Sequence, residues 1–149
     1  MTRSLRWIPA FALLLAACGG SGEAVPAEQA RGELVNRNWI DAWPESKDDR
    51  LHVYRFVPSM GGGVFQDRNV FEGTFELFTF EATGQTLRFA FPGREESHET
   101  AYRIERVDGP EPFTHRLVLE DSPRGPDVYY GWDEGSSSAS PFELSVPAP

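Results

Sequence analysis

The chain predicts an all-β fold, a single antiparallel up-and-down barrel of about eight strands, with a two-sheet β-sandwich as the alternative. Three observations carry this expectation. Short runs rich in β-branched and aromatic residues recur between clusters of Pro, Gly, Asp and Ser. Connections such as Ala82-Thr-Gly-Gln85, Pro92-Gly-Arg-Glu95 and Asp108-Gly-Pro110 have the length and composition of hairpin turns. No window of a dozen residues keeps a helical apolar period. A meander of this kind removes its exposed edges by closing on itself, which favours the barrel.

The predicted strands, in order, are Leu34–Ile40, Leu51–Val57, Gly63–Gln66, Val70–Glu81, Thr86–Phe91, Glu99–Val107, His115–Glu120 and Asp127–Trp132. Alternation assigns their faces. Leu87, Phe89 and Phe91 share one side of a strand, as do Phe71, Phe75 and Leu77 of another. Phe78 and Phe80 fall on the side opposite Phe75, which predicts a bulge there or burial on both sides. Gly73 predicts a kink or a close backbone approach. After the serine-rich patch Gly135–Ser140, the segment Phe142–Val146 alternates again.

The N-terminal fifth has a different character. Arg3 and Arg6 precede an apolar run, Trp7–Ala17, that is well under the ~20 residues a membrane-spanning helix needs. It fits a secretory signal. The run ends in Leu15-Ala16-Ala17-Cys18, and this sequence resembles the lipobox of bacterial lipoproteins. The resemblance implies removal of residues 1–17 and acylation of Cys18, and it implies a bacterial cell-envelope location with the membrane as partner through that anchor. Gly19 stands where, in some bacteria, an aspartate resembles an inner-membrane retention signal; this points to the outer membrane. Anchoring by more than one acyl chain is stable, at about 0.8 kcal/mol per buried methylene. Residues 18–32 then read as the acylated Cys and a Gly/Pro-rich linker with room for a short helix over Ala27–Arg31, and residues 33–149 as the barrel domain with a short C-terminal tail.

Charge narrows the partners. Loss of residues 1–17 takes two of the 14 basic residues and none of the 23 acids, leaving a net charge of −11. Such acidity excludes a grip on a nucleic-acid backbone and on anionic headgroups, so the tether has to come from lipid. A single cysteine permits no internal disulfide.

The chemistry of catalysis is not visible in the sequence. His52, His98 and His115 are dispersed without metal-ligand spacing, and no metal or other cofactor is expected. No serine sits in a Gly-x-Ser-x-Gly elbow, and Gly61-Gly62-Gly63 lacks the Lys-Ser/Thr of a phosphate loop. Asp48 and Asp49 lack calcium-loop spacing, and Glu72 and Glu76 read as solvated acids. The expected function is therefore non-enzymatic.

An early strand carrying a tryptophan, Leu34-Val-Asn-Arg-Asn-Trp39, followed by serial hairpins over roughly residues 33–132, is similar to bacterial lipocalin-like lipoproteins. Lipocalins have glycine two residues before this tryptophan, where this chain has Arg37. The resemblance implies a barrel, and a basic residue from a late strand, Arg116 or Arg124, covering the tryptophan.

Small barrels either fill with side chains or enclose one ligand. The leading expectation is a hollow barrel for a small apolar or amphipathic ligand. The alternative is a solid module that binds another envelope protein. Candidate ligand-lining or interface residues are Tyr54, Arg55, Phe75, Arg88, Phe89, Tyr102, Tyr130 and Trp132. The strand arginines Arg55, Arg88 and Arg103 sit between apolar neighbours, where they either line a cavity or, by plain alternation, face water. Tyr129–Trp132 and the loop around Trp43-Pro44-Glu45 have interface chemistry.

Overall fold

A computed structural model describes residues 22–133; Cys18 and the Phe142–Val146 segment lie outside the described residues. The elements are β1 (Glu23–Ala24), α1 (Ala27–Leu34), β2 (Asn38–Ile40), β3 (Leu51–Val57), β4 (Gly62–Arg68), β5 (Gly73–Ala82), β6 (Thr86–Phe91), β7 (Glu96–Arg106), β8 (His115–Leu119) and β9 (Val128–Gly131), with a 3₁₀ turn at Pro58–Met60. Strands β2 to β9 pair antiparallel in series, and β9 returns to β2 to close an eight-stranded barrel. β1 lies outside that ring.

The closure depends on β7, which is long enough to serve different neighbours along its length. Its first half pairs with β6, from Phe91↔Glu96 to Thr86↔Ala101. Its second half pairs with β8 on one edge and with β1 on the other, through Glu23↔Arg106 and Ala24↔Glu105. β1 thus continues the edge that β6 leaves.

Alternation determines what goes inside. Trp39, Tyr54, Phe56, Phe78, Leu87, Phe89, Ile104, Leu117 and Tyr129 are all buried in one cluster. The rings interlock: Tyr54 lies 4.9 Å from Phe65, 5.1 Å from Tyr129 and 5.7 Å from Phe89, centroid to centroid. Tilted and edge-on pairs at these distances add to the area they bury. Large buried side chains occupy the interior.

Several expectations are corrected. β5 pairs with β4 in unbroken register from Gly63↔Phe78 to Arg68↔Gly73, with no bulge. Phe78 and Phe80 point inward, and Phe75 and Leu77 simply stand in solvent. Gly73 opens the strand in place of kinking it, and its reason is close approach, since a Cβ there would lie 2.4 Å from the Arg68 Cβ. The first predicted strand shrinks to Asn38–Ile40, because residues up to Leu34 are helical.

Of the expected linker, the described residues 22–32 pack on the barrel. Pro26 starts α1, its carbonyl accepting from the Gln29 and Ala30 amides at 2.9 and 3.0 Å. Glu28 in the first turn and Arg31 in the last suit the helix dipole. Ala30 and Leu34, four residues apart, bury on the barrel core. The helix stops at extended Val35, and Asn36 turns the chain with φ 61°. The Trp39 indole N–H then donates to the Leu34 carbonyl at 2.9 Å. At the other end of α1 the β5–β6 hairpin presses so close that a Cβ on Gly84 would sit 2.2 Å from the Ala27 carbonyl oxygen. The helix is a stopper in one end of the barrel.

Candidate functional site

The opposite end is closed by the chain between β8 and β9. Tyr54 and Tyr129 rise from the core and donate their hydroxyls to the Arg124 carbonyl at 3.1 and 3.0 Å, and Ser122 Oγ donates to it at 2.6 Å. Gly125, at φ +67°, follows because a Cβ would come within 2.5 Å of the Tyr129 hydroxyl and 3.2 Å of the His52 ring. The Arg124 side chain spans the rim, donating from Nε to Glu76 at 2.7 Å and from Nη2 to Glu96 at 2.9 Å. Burial pushes both tyrosine hydroxyls well above their ordinary pKa. The Arg124 hydrogen bond holds the Glu76 and Glu96 carboxyls below theirs.

The α1 end carries a second polar knot. Arg37 donates to Glu33 Oε2 at 2.6 Å and to His115 Nδ1 at 2.8 Å, and it lies 3.5 Å from Asp133 Oδ1. Glu33, His115 and Asp133 bring their ligand-type atoms within 4.8 Å of one another. The Arg37 guanidinium already fills the cation position among them. With Nδ1 accepting, the imidazole proton sits on Nε2, which is buried without a hydrogen-bond partner and 3.7 Å from Glu33. Burial first, and then the Arg37 charge, depress the His115 pKa and keep the ring neutral.

Neither expected arginine covers Trp39. Arg116 bonds Glu105 on the outer wall, and Arg124 lies over Phe91 at the far rim. Arg37 does so instead, with its guanidinium carbon 5.5 Å from the Trp39 ring centroid. Arg37, two residues before the tryptophan on the same stretch of chain, is the residue that covers it.

The eight candidate residues separate into two groups. Tyr54, Phe89 and Tyr102 are interior, and the Tyr102 hydroxyl donates to the Thr83 carbonyl at 2.6 Å. Arg55, Phe75, Arg88, Tyr130 and Trp132 are on the outside. Arg55 donates to Asn38 at 3.0 Å, Arg88 pairs with Glu99 at 2.7 Å and Arg103 with Glu105 at 2.9 Å, all across or along the outer wall. Of the histidines, His52 bonds Asp41 at 2.6 Å and His98 bonds the Asp121 carbonyl at 2.8 Å, both away from His115.

Two outer surfaces stand out. On β2, β3 and β9, Ile40, Leu51 and Val53 form a second buried cluster under Phe113, with half-buried Trp43, Tyr130 and Trp132 packed on it. Trp43 lies 6.0 Å from both Phe113 and Trp132. Beside them is a groove of about 810 Å³ lined by Gly22, Trp43, Arg106, Asp108, Phe113 and Tyr130. The sequence hinted at this wall through Trp43-Pro44-Glu45 and Tyr129–Trp132, but Phe113 gave no sign of joining them.

The other surface is apolar and open. Phe71, Phe75 and Leu77 are 69, 74 and 65 % exposed, and Met60 at 83 % borders them. Leu77 faces Val64 across the β4–β5 pair, and Phe75 faces Gln66. A shallow groove of about 490 Å³ runs along Val57, Met60, Val64 and Leu77. In strand order the first surface centres on β2 and the second on the β4–β5 seam, with β3 between them.

Among the described residues, no helix is long and apolar enough to cross a membrane. No protein-family model, curated protein or solved structure matched this chain.

Proposed function

We propose that this protein is a lipid-anchored envelope lipoprotein whose solid barrel is a non-enzymatic module for binding another envelope protein. One observation carries the reading: the interior is packed and both ends are stoppered, while large apolar side chains stand exposed on the outer wall at Phe71, Phe75 and Leu77. Water makes such exposure costly, at roughly 25 cal/mol per Å² of apolar surface, and a protein partner removes that cost. A carrier needs empty volume inside, and Tyr54, Phe89 and Tyr102 occupy that volume here. The anchor reading rests on Leu15-Ala16-Ala17-Cys18.

The test is site-specific photocrosslinking in intact envelopes with the reactive group at position 75 or 77, and at exposed position 99 as control. One discrete adduct from 75 and 77, absent from 99, supports the module. Crosslinks that are equal at all three positions sink it. Native mass spectrometry of the delipidated protein after exposure to envelope extract tests the carrier reading directly, because a retained small molecule would restore it.

A further inference from the structure

We infer that the wall around Gly22, carrying Trp43, Phe113, Tyr130 and Trp132, lies against the zwitterionic headgroup layer of the membrane that holds the anchor. The inference rests on the acylation of Cys18 proposed above. Its first support is the path of the chain. β1 is sewn to β7, and the backbone at Gly22 runs so close that a Cβ would meet the Arg106 carbonyl oxygen at 2.6 Å. Gly22 is therefore fixed on this wall, at the edge of the aromatic groove.

Chain length then limits the geometry. Four residue steps separate Cys18 from Gly22, and extended chain covers at most ~3.6 Å per residue, or roughly 14 Å in all. Eight strands spaced ~4.8 Å apart and tilted ~40° make a barrel roughly 16 Å across between backbones, and side chains widen it further. With the anchor in the bilayer, the Gly22 wall is within reach of the membrane surface. The Phe75–Leu77 wall is on β4 and β5, away from the β1–β7 pairing that fixes Gly22.

The chemistry of the near wall agrees. Tryptophan and tyrosine settle where one end of the ring is dry and the other wet, as at the headgroup level of a bilayer. Trp43, Tyr130 and Trp132 are half-buried over their own apolar cluster. The wall's arginines are matched by acids, Arg116 with Glu105 and Arg106 with Glu33 at 3.5 Å. This balance suits neutral lipid; an anionic surface would meet the net acidity of the chain.

The experiment uses the full acylated protein in phosphatidylcholine vesicles brominated on the upper acyl chain. Tryptophan emission should be quenched, and the quenching should be lost in W43F/W132F, since Trp39 is enclosed in the barrel. Phe75→Trp in that background should remain unquenched. A second arm places a nitroxide at Asp108→Cys or Thr79→Cys in the same acylated protein. The near-wall label should be the more shielded from a water-soluble relaxation agent. Quenching at position 75, stronger shielding at position 79, or no quenching of protein whose Cys18 acylation is confirmed by mass spectrometry would each overturn the orientation. An unmodified Cys18 would remove the anchor itself, and the two failures are told apart by that mass.

Discussion

The guanidinium carbon of Arg124 lies 4.3 Å from the centroid of the Phe91 ring. This places a cation over the last core aromatic of β6 while Glu76 and Glu96 hold its nitrogens from the rim. One residue of a Pro- and Gly-rich loop thus connects β5, β6 and β7, and through its carbonyl the two core tyrosines. The mouth of the barrel is shut by a set of mutually satisfied polar groups laid on an aromatic floor.

Arg124→Ala should destabilise the protein by about 1–3 kcal/mol, because the part-buried Glu76 loses its charge-assisted partner. Arg124→Lys should recover only part of this, since an ammonium cannot reproduce the two-sided fork. Urea denaturation of both variants measures it. Equal stability of wild type and alanine variant would show that the rim contributes nothing.

Acid should weaken the fold in two stages. The folded pKa of His115 is depressed below 6.5, so its contribution is whole above that pH and falls as the unfolded chain takes up a proton that the native ring refuses. Glu76 is held down by Arg124. At Glu105 burial acts upward, but the hydrogen bonds from Arg116 and Arg103 outweigh it. Both contribute fully above the ordinary carboxyl value of 4.5 and lose stabilisation as pH drops below it. Thermal melts from pH 8 to 3 should show both declines. His115→Gln should abolish the upper one and leave the lower; a variant that still loses stability near pH 6 would contradict the assignment.

Leu34→Ala should cost about 2–5 kcal/mol, as truncation of a core leucine does, because Leu34 is fully enclosed. The last turn of an undocked helix would cost little, so chemical denaturation tests whether α1 is docked on the barrel.

Phe75→Asp and Phe89→Ala should part company. The first changes an exposed side chain and should leave stability within about 0.5 kcal/mol while removing the crosslinked partner. The second empties core volume and should cost about 3–5 kcal/mol. A Phe75→Asp protein that keeps its partner would end the case for the β4–β5 surface.

The sequence made the ring of strands legible because alternation and turn residues act over a few positions. Leu51–Val57 and Thr86–Phe91 are strands with those same limits, and the inward set Leu87, Phe89 and Phe91 matches the pattern. What escaped it depends on distant pairs. Arg124 and Glu76 are 48 positions apart, and nothing near either signals the other. Arg37 and His115 are 78 apart. The helix was visible as a short possibility over Ala27–Arg31, but its burial was not, since Ala30 and Leu34 are too few to give an apolar period. The exposure of Phe75 and Leu77 was hidden for the opposite reason: their alternation looks the same whether the face they share is covered or bare.

The pairing of β1 along β7 also has a mechanical meaning. A pull exerted at Gly22 loads the two β1–β7 residue pairs and the hydrogen bond from the Val25 amide to Ile104 before it loads any pairing between strands of the closed ring. β1 and then α1 would peel away while β2 to β9 stay hydrogen-bonded to one another. Residues 23–34 thus form a yielding element in series with the point of attachment, and drawing the protein from residue 22 in a single-molecule force trace should release that short length first. A trace with one rupture of the whole domain would mean that helix and barrel give way together.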